Sequence, residues 1–385
     1  MNAFEFKTTP HIVCSPGCLQ QLTARLSQLH LKRILVVSDQ GIVSAGLFDK
    51  LQQLISGAGL ECYAYLDVLP DPSDSVIEAA VQLALESEAD CVIGLGGGSS
   101  MDTAKLVALL AKSNEALSSV YGIEQATGPR LPLILIPTTA GTGSEVTPIS
   151  IVTTGQTTKA GVVSQLLLPD LALLDAELTT GLPAHVTAAT GIDAMVHAIE
   201  AYTSAIKKNF YSDLLAKGAL ELLSKNIGEA CHNGSNLAAR HNMLLGACLA
   251  GQAFANAPVG GVHALAYPLG GIYHIPHGLS NALVLPHVMR FNLSHAAKAY
   301  AELAPIIFPD IDTAQSAGAL AEELIGRIEQ LIRELGLPTT LSSQGIALDA
   351  IEQLAQDAML QTRLLGNNPR PILYEDALSI YTAAY

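Results

Sequence analysis

The stretch Cys91-Val-Ile-Gly-Leu-Gly-Gly-Gly-Ser-Ser-Met-Asp-Thr-Ala-Lys105 decides the fold of the N-terminal half of the chain. Its first five residues form a short apolar run, which is typical of a buried strand in a parallel sheet. The glycine triplet that follows lets the backbone approach a pyrophosphate closely, and Ser99 or Ser100 then caps a helix whose N-terminus favours anions. The alternative is a glycine-rich turn into a capped helix, in which Asp102 only complements the helix dipole.

Strands and helices alternate on both sides of this stretch. The predicted elements are, in order, strand 33–39, helix 45–57, strand 62–68, helix 73–88, strand 91–95, strand 133–136, a hairpin of 148–153 and 159–163 across Gly155, and strand 171–175. Such alternation predicts a doubly wound α/β sheet with buried parallel strands. Ligands of these sheets lie outside the carboxyl ends of the strands.

The carboxyl ends of two further predicted strands also carry polar residues. Pro137-Thr-Thr-Ala-Gly-Thr-Gly-Ser-Glu145 follows strand 133–136, and its small hydroxyl side chains can surround phosphate or ribose. Asp39 ends strand 33–39, where a carboxylate accepts hydrogen bonds from the adenine ribose and repels a 2′-phosphate. This charge favours NAD over NADP. A turn-capping aspartate is the alternative interpretation.

From Pro183 onward the pattern is helical nearly throughout. The predicted helices span residues 184–203, 211–230, 236–256, 259–267, 278–290, 295–305, 314–335, 347–359 and 374–383. The predicted domains are therefore an α/β dinucleotide-binding domain, residues 1–182, and a helical metal-binding domain, residues 183–385. The active site is expected in a cleft between them.

Two stretches of the helical half carry candidate metal ligands. Asp193 and His197 lie four residues apart, so they share one face of a predicted helix. That face is otherwise apolar, and a buried carboxylate there needs a partner, although a plain surface hydrogen bond between the two is the alternative. The stretch Gly260-Gly-Val-His-Ala-Leu-Ala-Tyr-Pro-Leu-Gly-Gly-Ile-Tyr-His-Ile-Pro-His-Gly278 adds His263 on a helical turn and His277 on a tight loop. An Asp/His/His/His set fits Fe²⁺ or Zn²⁺.

Composition excludes several classes of function. The 385 residues are enough for two domains with cores, and the net charge of −15 argues against nucleic acid or an anionic membrane as partner. No apolar run approaches the ~18 residues of a membrane span. No basic segment followed by an apolar core marks a secretory signal. Six scattered cysteines form no metal or disulfide pattern, which predicts reduced thiols and a cytoplasmic location.

The motifs together resemble the iron-containing (group III) alcohol dehydrogenases over essentially the whole chain. The matching segments are residues 96–105, 138–145, 189–202, 261–263, 276–286 and 367–370. The resemblance implies an N-terminal dinucleotide domain and a C-terminal helical domain. It implies a divalent metal, commonly Fe²⁺ and sometimes Zn²⁺, held by Asp193, His197, His263 and His277. It also implies NAD(P)-linked interconversion of small alcohols with aldehydes or ketones, by a homodimer or larger assembly.

The same resemblance suggests further site residues. The predicted cofactor contacts are Asp39, Gly96, Gly97, Gly98, Ser99, Thr138, Thr139, Thr142, Thr147, Lys159 and Leu178. The glycine loop is expected to hold the diphosphate, the threonines to contact the nicotinamide half, and Lys159 to contact a ribose or phosphate. Asp102 is expected to touch substrate or bound water.

One position departs from the family pattern. Lactaldehyde reductases carry a second histidine in H-A-x-x-H-P-L-G that is thought to help relay the proton, and Tyr267 stands there in this chain. A tyrosine with a pKa of about 10 carries protons less readily at neutral pH than a histidine with a pKa of about 6.5. Tyr267 remains a candidate catalytic residue. His274 is the candidate substitute relay, and an ordinary loop histidine is the alternative interpretation.

Two rival functions share these features. Sugar-phosphate cyclases similar to dehydroquinate synthase have this fold. The resemblance implies that they use a Glu/His/His metal site and a cluster of basic residues. In this chain residues 184–290 are sparse in lysine and arginine around the candidate ligands. A non-catalytic NAD-binding protein is the other rival, because Tyr267 replaces the relay histidine. The sequence leaves the alcohol, the physiological direction and the choice of metal open.

Overall fold

The computed structural model describes residues 3–28, 31–155 and 158–385, which fall into two compact units. One unit is Thr8–Gly181, and the other is Leu182–Tyr385 together with residues 3–7. The sequence assigned residues 3–7 to the α/β domain, and the structure joins them to the helical unit instead. The reason is local contact: the Lys7 backbone N–H donates to Oδ1 of Asn256 at 2.8 Å, and Phe6 packs on Tyr211 with ring centroids 5.4 Å apart.

A parallel sheet forms the centre of the α/β unit. The strands that the structure describes are β1 (Ile12–Cys14), β2 (Arg33–Val37), β3 (Glu61–Tyr65), β4 (Cys91–Gly96), β5 (Gly122–Ile123), β6 (Leu133–Pro137), β7 (Ile149–Thr154), β8 (Thr158–Val163) and β9 (Leu171–Leu174). Six of them lie side by side in the order β1-β9-β6-β4-β2-β3, and each neighbouring pair is parallel. The order in which strands join the sheet reverses at β2: β3 lies on one side of it and β4 on the other, so the switch point where such sheets bind ligands lies between β2 and β4.

Helices cover both faces of this sheet. The helices of the unit are α1 (Leu22–Gln28), α2 (Gln40–Ser44), α3 (Leu47–Gly57), α4 (Asp74–Glu86) and α5 (Gly98–Ser113). Successive residues of β2 point to opposite faces: Ile34 packs in a core cluster with Leu51 of α3, whereas Leu35 packs in a second cluster with Ala104 of α5. Burial on both faces explains the continuous apolar runs of these strands, and it confirms the predicted fold class.

The hairpin predicted across Gly155 forms a separate small sheet. Strands β7 and β8 pair antiparallel from Ile149 opposite Val163 to Thr154 opposite Thr158, and β5 adds to β8 in parallel. Gly155 has φ 62°, a left-handed conformation that glycine adopts without strain. Residues 156–157 lie outside the described residues.

The second unit is built of helices. They are α6 (Ala184–Thr203), α7 (Phe210–His232), α8 (Leu237–Asn256), α9 (Gly261–Tyr273), α10 (His277–Ile307), α11 (Ala317–Glu334), α12 (Ile351–Met359), α13 (Thr362–Leu365) and α14 (Tyr374–Ala384). Several differ from prediction: α10 joins the two predicted helices 278–290 and 295–305 into one, and α13 was not predicted. Helix α9 continues through Pro268 to Tyr273, and His277 begins α10 rather than sitting on a loop. Proline removes one helical hydrogen bond, and the burial of Leu265 and Leu269 around it offsets that loss.

No single helix among the described residues is both long and apolar enough to cross a membrane. Helices α8 and α9 meet that criterion only as a pair, and the chain bends by 107° between them.

Candidate functional site

Three helices of the helical unit each carry two polar or aromatic side chains one turn apart. The pairs are Asp193 and His197 on α6, His263 and Tyr267 on α9, and His277 and Asn281 on α10. Residues four apart share one face of a helix, so each helix presents its pair together.

The imidazoles of three of these residues surround one carboxylate oxygen. The Nε2 atoms of His277, His263 and His197 lie 3.6, 3.8 and 3.9 Å from Oδ1 of Asp193. All four ligand atoms lie within 4.8 Å of one another. These separations are too long for hydrogen bonds. They approach the roughly 3.4 Å that separates four ligands placed about 2.1 Å from one tetrahedral cation. The four side chains therefore have the spacing of a metal site.

The site is closed on one side and open on the other. The side chains of Asp193, His197 and His263 are buried, whereas that of His277 is 42% exposed. The ring of Phe254 stacks on His197 with centroids 4.3 Å apart. An apolar wall therefore backs the site, and a substrate can approach on the side of His277.

Asp193 is held in its charged form despite its burial. Burial would raise the pKa of this carboxyl, but the neighbouring imidazoles of His197, His277 and His263 together hold it below its usual value. A hydrogen bond from Nδ2 of Asn281 to Oδ1, at 2.6 Å, acts in the same direction. A buried carboxylate that stays ionised is suited to binding a cation.

Asn281 and Glu200 are two site residues that the sequence analysis did not assign. Nδ2 of Asn281 lies 3.2 Å from Nε2 of His263 and 3.3 Å from Nε2 of His277, in addition to its bond with Asp193. Oε2 of Glu200 accepts a 2.6 Å hydrogen bond from Nδ1 of His263. A usable signal was present in the sequence, because the helical spacing of Asp193, His197 and Glu200 puts all three on one face of α6.

The two candidate relay residues occupy different environments. Tyr267 is half-buried, and its ring centroid lies 6.0 Å from that of His277, so it borders the open side of the site. His274 is exposed and ends α9 in a left-handed conformation, with φ 53°. The structure thus brings Tyr267 to the candidate metal ligands, and it puts His274 at the surface of the unit.

The glycine loop of the α/β unit leads directly from β4 into α5. Gly97 occupies the N-cap position of α5, so Ser99 and Ser100 lie in the first turn of the helix. The prediction that one of these serines caps the helix is therefore wrong. The helix begins earlier than expected because Gly98 already has helical conformation. Oγ of Ser100 instead donates to Oδ2 of Asp39 at 3.0 Å.

The threonine-rich loop after β6 packs against this glycine loop. The backbone N–H of Thr138 donates to the carbonyl of Gly96 at 3.0 Å. A Cβ added to Gly98 would lie 2.8 Å from Cγ2 of Thr142, so only glycine allows this approach. A Cβ on Gly97 would lie 3.6 Å from Oγ1 of Thr139. The structure therefore brings the two predicted cofactor loops together at adjacent strand ends.

Asp39 lies beside these loops and also caps a helix. Its Oδ1 accepts hydrogen bonds from the backbone N–H groups of Gly41 and Ile42, at 2.9 and 3.1 Å, which makes it the N-cap of α2. Its carboxylate remains partly exposed. The capping alternative describes the structure, and a ribose contact stays a prediction.

Asp102 and Thr147, two further predicted site residues, both bond the buried ammonium group of Lys105. Nζ of Lys105, which is fully buried, donates to Oδ1 of Asp102 at 3.1 Å and to Oγ1 of Thr147 at 3.2 Å. Asp102 also accepts hydrogen bonds from Ser144 Oγ and from the N–H of Ile151. Burial lowers the pKa of Lys105, and Asp102 opposes that shift. In this structure Asp102 and Thr147 anchor α5 to the following segments.

The last two predicted cofactor residues also have structural contacts. Nζ of Lys159 lies 2.6 Å from Oδ1 of Asp71 and donates to Oγ1 of Thr153 at 3.0 Å. Leu178 is buried in the core cluster on the α1 and α3 face of the sheet. Their roles toward a cofactor stay predictions.

Comparison with known proteins agrees with both units. The family described as "Iron-containing alcohol dehydrogenase" matches residues 9–176, and "Fe-containing alcohol dehydrogenase family, C-terminal" matches residues 187–385. The chain belongs to the iron-containing alcohol dehydrogenase family. This alcohol dehydrogenase is 42% identical over 375 residues to "Long-chain-alcohol dehydrogenase 1" of Geobacillus thermodenitrificans, covering 96% of the chain and 93% of that relative.

Solved structures share the fold over the whole length of this alcohol dehydrogenase. A crystal structure of 1,3-propanediol oxidoreductase superposes with a TM-score of 0.96 at 34% identity and covers 100% of both chains. Sulfoacetaldehyde reductase from Bifidobacterium kashiwanohense in complex with NAD⁺ gives a TM-score of 0.88 at 27% identity, covering 100% of this chain and 99% of that one. The reaction class of this family member is oxidation or reduction between an alcohol and a carbonyl compound.

Proposed function

We propose that this chain is an NAD-dependent, metal-dependent dehydrogenase that interconverts a small alcohol with its aldehyde or ketone. The observation that carries the proposal is the cluster of Asp193, His197, His263 and His277, whose ligand atoms lie within 4.8 Å of one another in the helical unit. One carboxylate and three imidazoles form a borderline donor set that suits Fe²⁺, with Zn²⁺ as the alternative. The family to which the chain belongs is named for iron.

The side chains around the cluster suit a redox reaction at an alcohol carbon. When bound, the metal would supply Lewis acidity to a substrate oxygen and the nicotinamide would carry the hydride. His277 is the ligand exposed on the open side, so a substrate would reach the metal from that side. Phe254 and the buried ligands exclude water from the opposite side. Tyr267 borders the open side, where its phenol can hold or pass on the proton of the alcohol.

The cofactor assignment rests on the α/β unit. The glycine loop and the threonine loop meet at neighbouring strand ends, where the N-terminus of α5 favours a diphosphate. The partly exposed carboxylate of Asp39 lies within reach of Ser100 on α5, and its charge disfavours a 2′-phosphate. A family member, sulfoacetaldehyde reductase, was solved with NAD⁺. These features support NAD as the cofactor, and we extend the proposal to a cytoplasmic homodimer or larger assembly with free thiols.

Substitution of His277 by alanine tests the metal assignment. His277→Ala removes one of three imidazoles, and we expect it to abolish metal retention and NAD-linked alcohol oxidation while NAD binding persists. His295→Ala is the matched control, because His295 is an exposed histidine on the same helix that bonds Ser294. Metal content is measured by elemental analysis and NAD binding by calorimetry. Full metal content and activity in His277→Ala would show that the ligand assignment is incorrect.

A further inference from the structure

We propose that Glu200 is a positioning residue of the metal centre: it orients His263 as a ligand and supplies the second negative charge that balances a divalent cation. This inference rests on the proposed metal site. Glu200 is not one of the four candidate ligands. It acts on the site through its bond to His263.

Both oxygens of the Glu200 carboxylate are engaged. Oε2 accepts from Nδ1 of His263 at 2.6 Å, and Oε1 accepts from the backbone N–H of Val262 at 2.7 Å. The side chain is only 6% exposed, so these bonds form away from water. An ionised carboxylate only accepts hydrogen bonds, which requires the proton of His263 to be on Nδ1. The lone pair is then on Nε2, the atom 3.8 Å from Oδ1 of Asp193.

The bond to Val262 fixes the carboxylate itself. Helix α9 begins after Gly260, which has no side chain to cap it, so its first N–H groups need other acceptors. Glu200 of α6 accepts the one from Val262, and Oδ1 of Asn368 accepts the one from Gly261 at 3.2 Å. A carboxylate at a helix N-terminus is also stabilised by the helix dipole. Glu200 therefore links α6 to α9 at the turn that carries His263.

Charge balance gives Glu200 a second effect. The four ligands include one carboxylate and three imidazoles that are neutral when they bind metal, so they offer one negative charge to a cation of charge two. A buried net charge is costly unless a counter-charge lies nearby. Glu200 is a buried carboxylate outside the cluster that bonds one of its ligands, His263, directly. With it, the centre becomes neutral, and a carboxylate bonded to a ligand imidazole also increases the basicity of that ligand.

The test compares Glu200→Gln with the intact protein, using Zn²⁺ and Co²⁺ as probes. Gln retains the shape and one acceptor but removes the charge. We expect Glu200→Gln to weaken Zn²⁺ affinity about 10- to 100-fold in competition with a chromophoric chelator, and to change the visible absorption bands of bound Co²⁺. NAD affinity should be unchanged, because the predicted dinucleotide loops lie in the α/β unit. Glu200→Asp, which keeps the charge, should recover part of the lost affinity.

Further measurements separate positioning from a purely structural role. The melting temperature of the metal-free protein reports the helix-linking role, whereas the increase on adding Zn²⁺ reports affinity. Arg240→Met is the control, since Arg240 is buried and bonded to Thr187 of α6 but touches no ligand. It should lower the melting temperature and leave the Co²⁺ bands unchanged.

Each outcome decides a different point. Unchanged Zn²⁺ affinity and Co²⁺ bands in Glu200→Gln would overturn the role of Glu200. A loss of affinity that merely follows a lower metal-free melting temperature, with Co²⁺ bands unchanged, would overturn it as well. If the unsubstituted protein binds neither Zn²⁺ nor Co²⁺, the proposed metal site itself fails. Should Glu200→Gln not fold, the Co²⁺ bands and affinity of Glu200→Asp decide the question.

Discussion

Nε2 of His277 lies 3.6 Å from Oδ1 of Asp193 because the backbones of their two helices touch. The contact is made by Gly278, the next residue of α10: a Cβ there would lie 2.3 Å from the carbonyl oxygen of Ala189 on α6. No side chain fits into that space. The absence of a Cβ at Gly278 therefore sets how closely the ligands of α10 and α6 approach.

Gly278→Ala should consequently disrupt the metal site without removing any ligand. The methyl group must push α10 away from α6, which separates His277 from Asp193. We expect a loss of Zn²⁺ affinity of at least tenfold, measured by chelator competition, together with a lower melting temperature. Gly326→Ala is the matched control, since Gly326 lies in helix α11 with nothing within 4 Å of the added Cβ. It should keep its metal and gain up to about 1 kcal/mol of stability. Equal metal affinity in both variants would contradict this explanation.

Asp39→Asn tests the preference for NAD over NADP. Asparagine is an equally good N-cap, so it preserves the bonds to Gly41 and Ile42 while removing the negative charge. We expect the ratio of kcat/KM for NAD to that for NADP to fall about tenfold, because repulsion of the 2′-phosphate is relieved. Asp67→Asn, at an exposed aspartate of the same unit, should not change the ratio. An unchanged ratio in Asp39→Asn would remove Asp39 from cofactor selection.

Tyr267→Phe tests whether the phenol of this tyrosine takes part in proton transfer. The substitution keeps the ring beside His277 and removes only the hydroxyl. We expect unchanged metal content and a fall in kcat of about 100-fold, which is the lower end of the range for loss of a general acid or base. Tyr273→Phe, at the other tyrosine of α9, is the control. If kcat of Tyr267→Phe equals that of the unsubstituted enzyme, Tyr267 forms only a wall of the site.

Glu145 makes the stability of the protein depend on pH. Burial raises the pKa of this carboxyl from 4.5 to about 7, although Lys105 partly opposes the shift. Between these pH values the folded state retains a proton on Glu145 that the unfolded state loses. The resulting contribution to the free energy of unfolding is fully present below pH 4.5 and is lost as the pH rises through 7. Glu145→Gln removes the dependence, so its stability relative to the parent should rise by about 3 kcal/mol between pH 4.5 and pH 8. Urea unfolding at several pH values measures this, and a difference that is constant with pH would contradict it.

The local sequence pattern predicted those elements whose own residues show a clear strand or helix periodicity. The apolar run of β4 and the helix Ala184–Thr203 were predicted because their own residues determine their periodicity. Strand β1 was not predicted: it has three residues and exists through pairing with β9, which lies far along the chain. The extension of α9 through Pro268 was missed for the same reason, since surrounding burial outweighs a local helix-breaking signal.

Sequence spacing had a similar limit at the site. Spacing alone related Asp193 to His197, but it could not show that the neighbouring carboxylate Glu200 bonds His263 on another helix. Nor could it show that Asp102 accepts a bond from the N–H of Ile151, because that contact depends on how β7 packs beside α5. Residue type predicted which chemistry was available, and tertiary packing determined which atoms use it.

The most direct measurement of the central claim is NADH formation by the purified protein with NAD⁺ and a panel of short alcohols and diols, before and after removal of metal. The protein is chelated, freed of chelator, and reloaded anaerobically with Fe²⁺ or Zn²⁺, while elemental analysis gives the metal content of each sample. We predict that NADH absorbance grows with at least one alcohol, is lost with the metal, and returns on reloading to about one metal per chain. Turnover that persists in protein free of metal, or a chain that binds NAD and metal but oxidises none of the alcohols and reduces none of the matching aldehydes, would contradict it.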